Sequence, residues 1–293
     1  MTTRRFEIYA PLQEFHWSES THELMPGLRI TRLDQNLDLR GLDATLAEDE
    51  RNNVLYASHW LAFDWNEGAV PSPAETMNLV LLALWLVKPT RTHVAFRFQL
   101  GHEGAAAEKS SHRLLDRFAW VSGTTHDDFD DTDLRSAAIY YQVLRGLCCA
   151  RGRLNDALIL TVTGCWSHRW QAALICHAAA AEALLTYSTA AGITHRLATS
   201  YACLVETSQA SRNLAYGEFR DLYSVRSDVM HGRPHNVPAA DRLPLLVRFE
   251  DVLRTVWRVV LSSPQLIAVL EGSDAQRKTH FVSLTSGYTP PRH

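Results

Sequence analysis

The sequence predicts an α+β protein, with a mixed α/β module over residues 1–130, an antiparallel all-α helical bundle over 131–270 and a tail over 271–293. Three observations carry that reading. Short segments at 4–9, 28–33 and 92–100 alternate with the period of two expected of half-buried strands. From residue 134 onwards, apolar side chains recur at intervals of three and four with short connections, as in a bundle. Between these regions, residues 123–133 are acidic and turn-rich and end in a good cap at Thr132 or Asp133, which sets the boundary near 130.

The first two strands are bounded by Pro11, Pro26 and Gly27. Residues 43–51 are charged and read as a short helix. The aromatic-rich segment 54–65 follows, with Trp60, Phe63 and Trp65 serving either as a recognition surface or as core. Pro71-Ser72-Pro73-Ala74-Glu75 starts a helix, because early Pro, a Ser cap and Glu in the first turn all favour initiation. Its body, 77–87, is apolar nearly all round and must be buried, and Lys88-Pro89 stops it. In the strand at 92–100, Val94, Phe96 and Phe98 share one face. Residues 101–111 are polar and small, and read as a mobile loop suited to sensing.

Beyond 130 the helices expected are 134–150, 153–162 ended by Gly164, 169–187, one capped by Thr194, one beginning at Asn213, and 245–261. The last has the cleanest amphipathic pattern, through Leu246, Phe249, Leu253, Val256 and Val260. After Pro264 the chain reads as a short helix, a strand at 279–284 and a frayed Pro-rich end.

With 46% hydrophobic and 21% charged residues the composition is that of a soluble globular protein. A net charge of -3 argues against a general polyanion binder. Residues 151–270 nevertheless hold twelve Arg, no Lys and nine acidic residues, which suits directed contacts to planar or phosphate groups. The opening residues lack an apolar core of signal-peptide length, and the longest apolar run, 79–87, is about half a membrane span. A cytoplasmic protein without membrane partners is therefore expected. The cysteines, Cys148, Cys149, Cys165, Cys176 and Cys203, are odd in number and sit in apolar helical segments, which predicts buried thiols. Cys165, His168, Cys176 and His177 match no common zinc-ligand spacing, so no metal or other cofactor is expected.

The stretch around which these features are organised runs from Leu222 to Pro234. Leu214, Leu222, Val225 and Val229 recur at helical intervals, and Gly232 with Pro234 is a strong stop signal, so the helix should end at Met230 or His231. Arg226 and His231 lie five residues apart, about 500° of rotation, and would diverge on a continuous helix. A helix ending between them, with Gly232 left-handed, lets the imidazole swing back beside the guanidinium. Such a pair suits a phosphodiester, since Arg neutralises oxyanion charge and His moves a proton. A buried ion pair at Arg226 and a dipole-stabilised helix-terminal His231 explain the same spacing. Glu182, in the run Ala178 to Leu185, is either solvent-facing or held against a cation, with Arg226 the obvious partner.

These residues resemble the HEPN superfamily, particularly its Apea-like branch. The resemblance rests on Glu182-Ala-Leu-Leu, on Ile193-Thr-His-Arg-Leu-Ala with Ala202-Cys-Leu-Val, and on Leu222-Tyr-Ser-Val-Arg-Ser-Asp-Val-Met-His-Gly, and covers about residues 134–262. It implies a HEPN-like bundle and a metal-independent endoribonuclease whose Arg-x4-His motif is Arg226 and His231. Ser227 then matches the polar residue after the Arg, and Glu182 the acidic position of the earlier helix. Tyr223, Arg233 and His235 are expected to line the same cleft, the last two as RNA contacts. The resemblance further implies a homodimer through the bundle, a role as a toxin or in abortive infection and other anti-phage defence, and control by an antitoxin or phage-derived trigger. The N-terminal module would choose the target. The alternative is a non-catalytic bundle that binds a nucleotide, RNA or a partner protein.

Overall fold

The computed structural model describes residues 4–32, 48–101, 110–113, 127–167, 169–186, 192–232 and 237–291. The chain divides into two compact units, Met1–Cys149 and Ala150–His293. The first holds a six-stranded antiparallel sheet formed by β1 (Arg5–Leu12), β2 (Thr21–Met25), β3 (Leu28–Thr31), β4 (His59–Asn66), β5 (Phe96–Gly101) and β6 (Ser110–Arg113), in the order β2-β3-β4-β1-β5-β6. β1 is central because Phe6, Ile8, Ala10 and Leu12 alternate and are all buried. The aromatic segment around Trp60 proves to be β4 and fills the core, where Trp60 stacks on Phe98 with ring centroids 5.7 Å apart.

The same unit contains α1 (Glu48–Tyr56), α2 (Pro73–Val87) and α3 (Asp131–Ala150). α1 covers part of the helix expected over 43–51; residues 43–47 lie outside those described. Ser72 and Glu75 close a capping box on α2, each satisfying an otherwise orphaned backbone N–H of the first turn. α3 corrects the boundary expected near 130. Trp17 Nε1 donates to Asp131 at 3.1 Å and Lys88 pairs with Asp133, so the start of this helix is fastened to the sheet unit. The chain changes unit only after Cys149. Most of the expected sensing loop, 102–109, lies outside the described residues.

The second unit is helical: α4 (Arg153–Trp166), α5 (Trp170–Leu185), α6 (Ile193–Val205), α7 (Gln209–Met230), α8 (Ala239–Leu261), α9 (Pro264–Glu271) and α10 (Asp274–Leu284). Several expected ends shift. α4 runs through Gly164 to Trp166, and α6 takes Gly192, at φ +78°, as its N-cap in place of Thr194. α7 starts before Asn213, because the Ser208 hydroxyl accepts from Ser211 N–H at 3.1 Å. The strand expected at 279–284 is α10, begun by a Ser273/Gln276 capping box. The segment read as a tail from 271 is integral to the unit. Phe281 and Tyr288 are buried, and the Glu271 carboxylate accepts from the N–H groups of Arg153 and Leu154, at 2.9 Å each, capping α4. Among the described residues, no helix is long and apolar enough to cross a membrane. The cysteines are free thiols; Cys148, Cys165 and Cys203 are buried as expected, whereas Cys149 is exposed and Cys176 half-buried.

Candidate active site

The face that α7 buries is aromatic. Tyr216, Phe219 and Tyr223 succeed one another at three and four residues, and Arg226 continues the same stripe by one more step. Phe219 and Tyr223 stack at 6.0 Å, and Phe219 also packs on Tyr201 of α6 and Phe249 of α8, which fixes the rotation of the helix. The aliphatic stripe inferred from Leu214, Leu222, Val225 and Val229 is only partly buried: Leu222 is covered, but Leu214 is 78% exposed. An aromatic core face therefore ends in a guanidinium.

α5 supplies the counter-charge. Ala178, Ala180, Ala181, Leu184 and Leu185 are buried, and Glu182 projects between the small residues with a quarter of its side chain exposed. Its Oε1 accepts from Arg226 Nη2 at 2.8 Å and from the Tyr223 hydroxyl at 2.5 Å. Arg226 also lies over the Tyr223 ring, with Cζ 5.2 Å from the centroid. Burial, reinforced by the Glu182 carboxylate, pushes the Tyr223 phenol far above its ordinary value, so it remains a donor. Arg226 Nε is buried and has no hydrogen-bond partner among the described residues. The carboxylate thus holds one edge of the guanidinium, and the phenol holds the carboxylate.

His231 closes α7. Its backbone N–H donates to the Ser227 carbonyl at 3.1 Å, and Gly232 follows at φ +60°, the left-handed turn that terminates a helix. The His231 side chain is exposed and Ser227 is half-buried. Glu182, Tyr223 and Arg226 are therefore brought together, with Ser227 next to Arg226 and His231 at the C-cap just over a turn beyond it. Arg233 and His235 lie outside the described residues.

Comparison with protein-family models, with curated proteins and with solved structures gives no match. The chemistry of the site therefore rests on its own geometry.

Sequence reasoning overlooked a further support of this helix pair. His195 Nδ1 lies 3.0 Å from the Tyr216 hydroxyl, tying α6 to α7 one turn before the aromatic stack. A His and a Tyr at the start of two successive helices give no spacing signal; the tertiary fold alone makes them neighbours.

Proposed function

We propose that the protein is an endoribonuclease of the HEPN type, acting through Arg226 and His231. The observation that carries the reading is the fixation of Arg226 by Glu182 and Tyr223 just ahead of an exposed His231 at the end of the same helix. A guanidinium held along one edge retains donors for non-bridging phosphate oxygens, where one placed donor contributes about 10²–10³ in rate. The imidazole moves a proton, a role worth about 10²–10⁴. The nucleophile is the ribose 2′-OH of the substrate. Its attack on the adjacent phosphorus expels the 5′ oxygen, leaving 2′,3′-cyclic phosphate and 5′-OH ends. DNA lacks that hydroxyl and is not a substrate.

The same reading makes the protein a homodimer. One His cannot both accept the 2′-OH proton and protonate the leaving oxygen in a single step, whereas two facing motifs supply both groups. Met230 and Leu243, exposed large apolar side chains flanking the turn after His231, support a partner surface there. The resemblance to the HEPN superfamily adds a toxin or anti-phage role, with the nuclease restrained by an antitoxin or released by a phage component.

Incubating purified full-length protein with RNA in EDTA, beside Arg226→Ala and His231→Ala variants of verified fold, tests the proposal. Cyclic-phosphate ends from wild type, with losses of about 10²–10³ for Arg226→Ala and 10²–10⁴ for His231→Ala, are expected. Folded variants that cut as fast as wild type would overturn the assignment. Wild-type protein that binds RNA without cutting it is what both the non-catalytic binding module and a nuclease awaiting its trigger would give.

A further inference from the structure

Three helices of the second unit meet at a buried group of side chains remote in sequence. Cys165 on α4, His177 on α5 and Glu250 on α8 are 1%, 0% and 3% exposed, and one donor atom from each lies within 4.8 Å of the others. His177 Nε2 and Glu250 Oε1 are 3.7 Å apart, too far for a hydrogen bond. Both ring nitrogens of His177 are buried without a hydrogen-bond partner. A buried imidazole unsatisfied on both sides costs about 1–3 kcal/mol for each polar group, which a folded core does not ordinarily tolerate.

A metal ion at this point would take up Nε2, the ring nitrogen that faces Glu250, and leave Nδ1 against Gly164. Zinc bonds of about 2.0–2.3 Å to nitrogen, oxygen and sulfur place tetrahedral ligands about 3.3–3.8 Å apart. For a nitrogen–oxygen pair on one zinc ion the span is about 3.3–3.5 Å, and the 3.7 Å between His177 Nε2 and Glu250 Oε1 lies just beyond it. Thiolate, imidazole and carboxylate together form a donor set suited to zinc. The surroundings are built for close approach: a Cβ on Gly164 would stand 2.5 Å from the His177 ring, so only glycine lets the imidazole press against α4. Trp257 Nε1 donates to Thr161 Oγ1 at 3.0 Å, locking α8 to α4 one turn before Cys165.

We propose that Cys165, His177 and Glu250 bind one zinc ion that clamps α4, α5 and α8 together, with a solvent oxygen completing the tetrahedron. Binding forms the sulfur–zinc bond as the Cys165 thiol releases its proton to solvent, and it uses neutral imidazole and ionised carboxylate. The cluster differs from the cysteine-histidine set considered from spacing: it keeps Cys165 and His177 but draws its third ligand from α8. Arg254, buried on α8 and paired with Asp251, is the competing means of balancing Glu250.

The test uses the full chain purified without chelator. Elemental analysis is expected to find one zinc per chain. After removal of that ion, cobalt titration should give one equivalent of uptake with a thiolate-to-cobalt charge-transfer band, and zinc should raise the unfolding midpoint. Cys165→Ser should abolish the band and weaken zinc binding about 10²-fold or more, while Cys149→Ser, at an exposed thiol, should change neither. Should Cys165→Ser fail to fold, Glu250→Gln carries the comparison through its loss of zinc affinity. A wild-type chain that holds no metal, takes up no cobalt and gains no thermal stability from zinc would overturn the proposal, leaving Arg254 to neutralise Glu250. A band that survives in Cys165→Ser and vanishes in Cys149→Ser would overturn it equally.

Discussion

Glu182 serves two donors through a single oxygen, so its substitutions separate charge from hydrogen bonding. Glu182→Ala leaves the Tyr223 hydroxyl and Arg226 without their acceptor and should cost about 1–3 kcal/mol, the upper end tempered by partial solvent access. Glu182→Gln preserves an acceptor for the phenol, so urea unfolding should show a smaller loss while RNA cleavage still falls as Arg226 loosens. Equal stability losses for the two variants would contradict the contribution assigned to the phenol hydrogen bond and leave the charge alone as the support. In the first unit, His59 is buried, with Nε2 2.9 Å from the Glu19 carbonyl and Nδ1 2.9 Å from the Ser58 hydroxyl. A carbonyl only accepts, so Nε2 carries the proton, while Nδ1 faces the Ser58 hydroxyl, which also reaches the Phe15 carbonyl at 3.2 Å. Burial lowers the His59 pKa by penalising the charged imidazolium. The unfolded chain therefore binds the proton more readily than the folded one. Stability should be full above about pH 6.5 and decline as pH falls from there towards the folded-state value. Unfolding midpoints across that range, with His59→Gln flattening the decline, provide the check.

At the scale of elements, α4 begins at Gly152 without a side-chain cap, and the Glu271 carboxylate performs that function from α9. An added Cβ at Gly152 would lie 2.1 Å from Glu271 Oε2, so a larger residue there displaces the capping carboxylate. Glu271→Ala should cost about 1–2 kcal/mol, by loss of a charged cap at a helix N-terminus; denaturant unfolding at constant m-value would register it. Elements of this kind divide what the sequence reveals from what it hides. α2 was legible because its capping residues are neighbours in the chain, and the end of α7 because Gly232 and Pro234 follow at once. The pairing of Glu182 with Arg226 could be anticipated, since a carboxylate among alanines needs a cation. The start of α7 required Ser208 to be recognised as a cap, and β-branched residues in 279–284 masked the Ser273/Gln276 box that begins α10. The capping of α4 and the Cys165–His177–Glu250 cluster depend on residues that only tertiary packing brings together.

For the whole molecule, the principal departure from the sequence reading is the allegiance of α3. Its helical period is the same whichever unit it joins, and Trp17 and Lys88, far away in the chain, bind its first turn to the sheet unit. The proposed chemistry also has a whole-molecule requirement, a second copy of the motif. Light scattering coupled to size exclusion should give a dimer mass, and a monomer that still cleaves RNA would remove the argument for paired motifs. One further consequence comes from α5, which carries His177 and, just over a turn later, Glu182. The ring proposed to hold zinc and the carboxylate that holds Arg226 move as one rod. If both proposals hold, prolonged chelation would silence cleavage by releasing the strut behind the guanidinium, although the proposed reaction itself uses no ion. The two effects run on separate clocks: early time points in EDTA report bond-breaking, and the slow decay that follows measures how tightly the helices grip their metal.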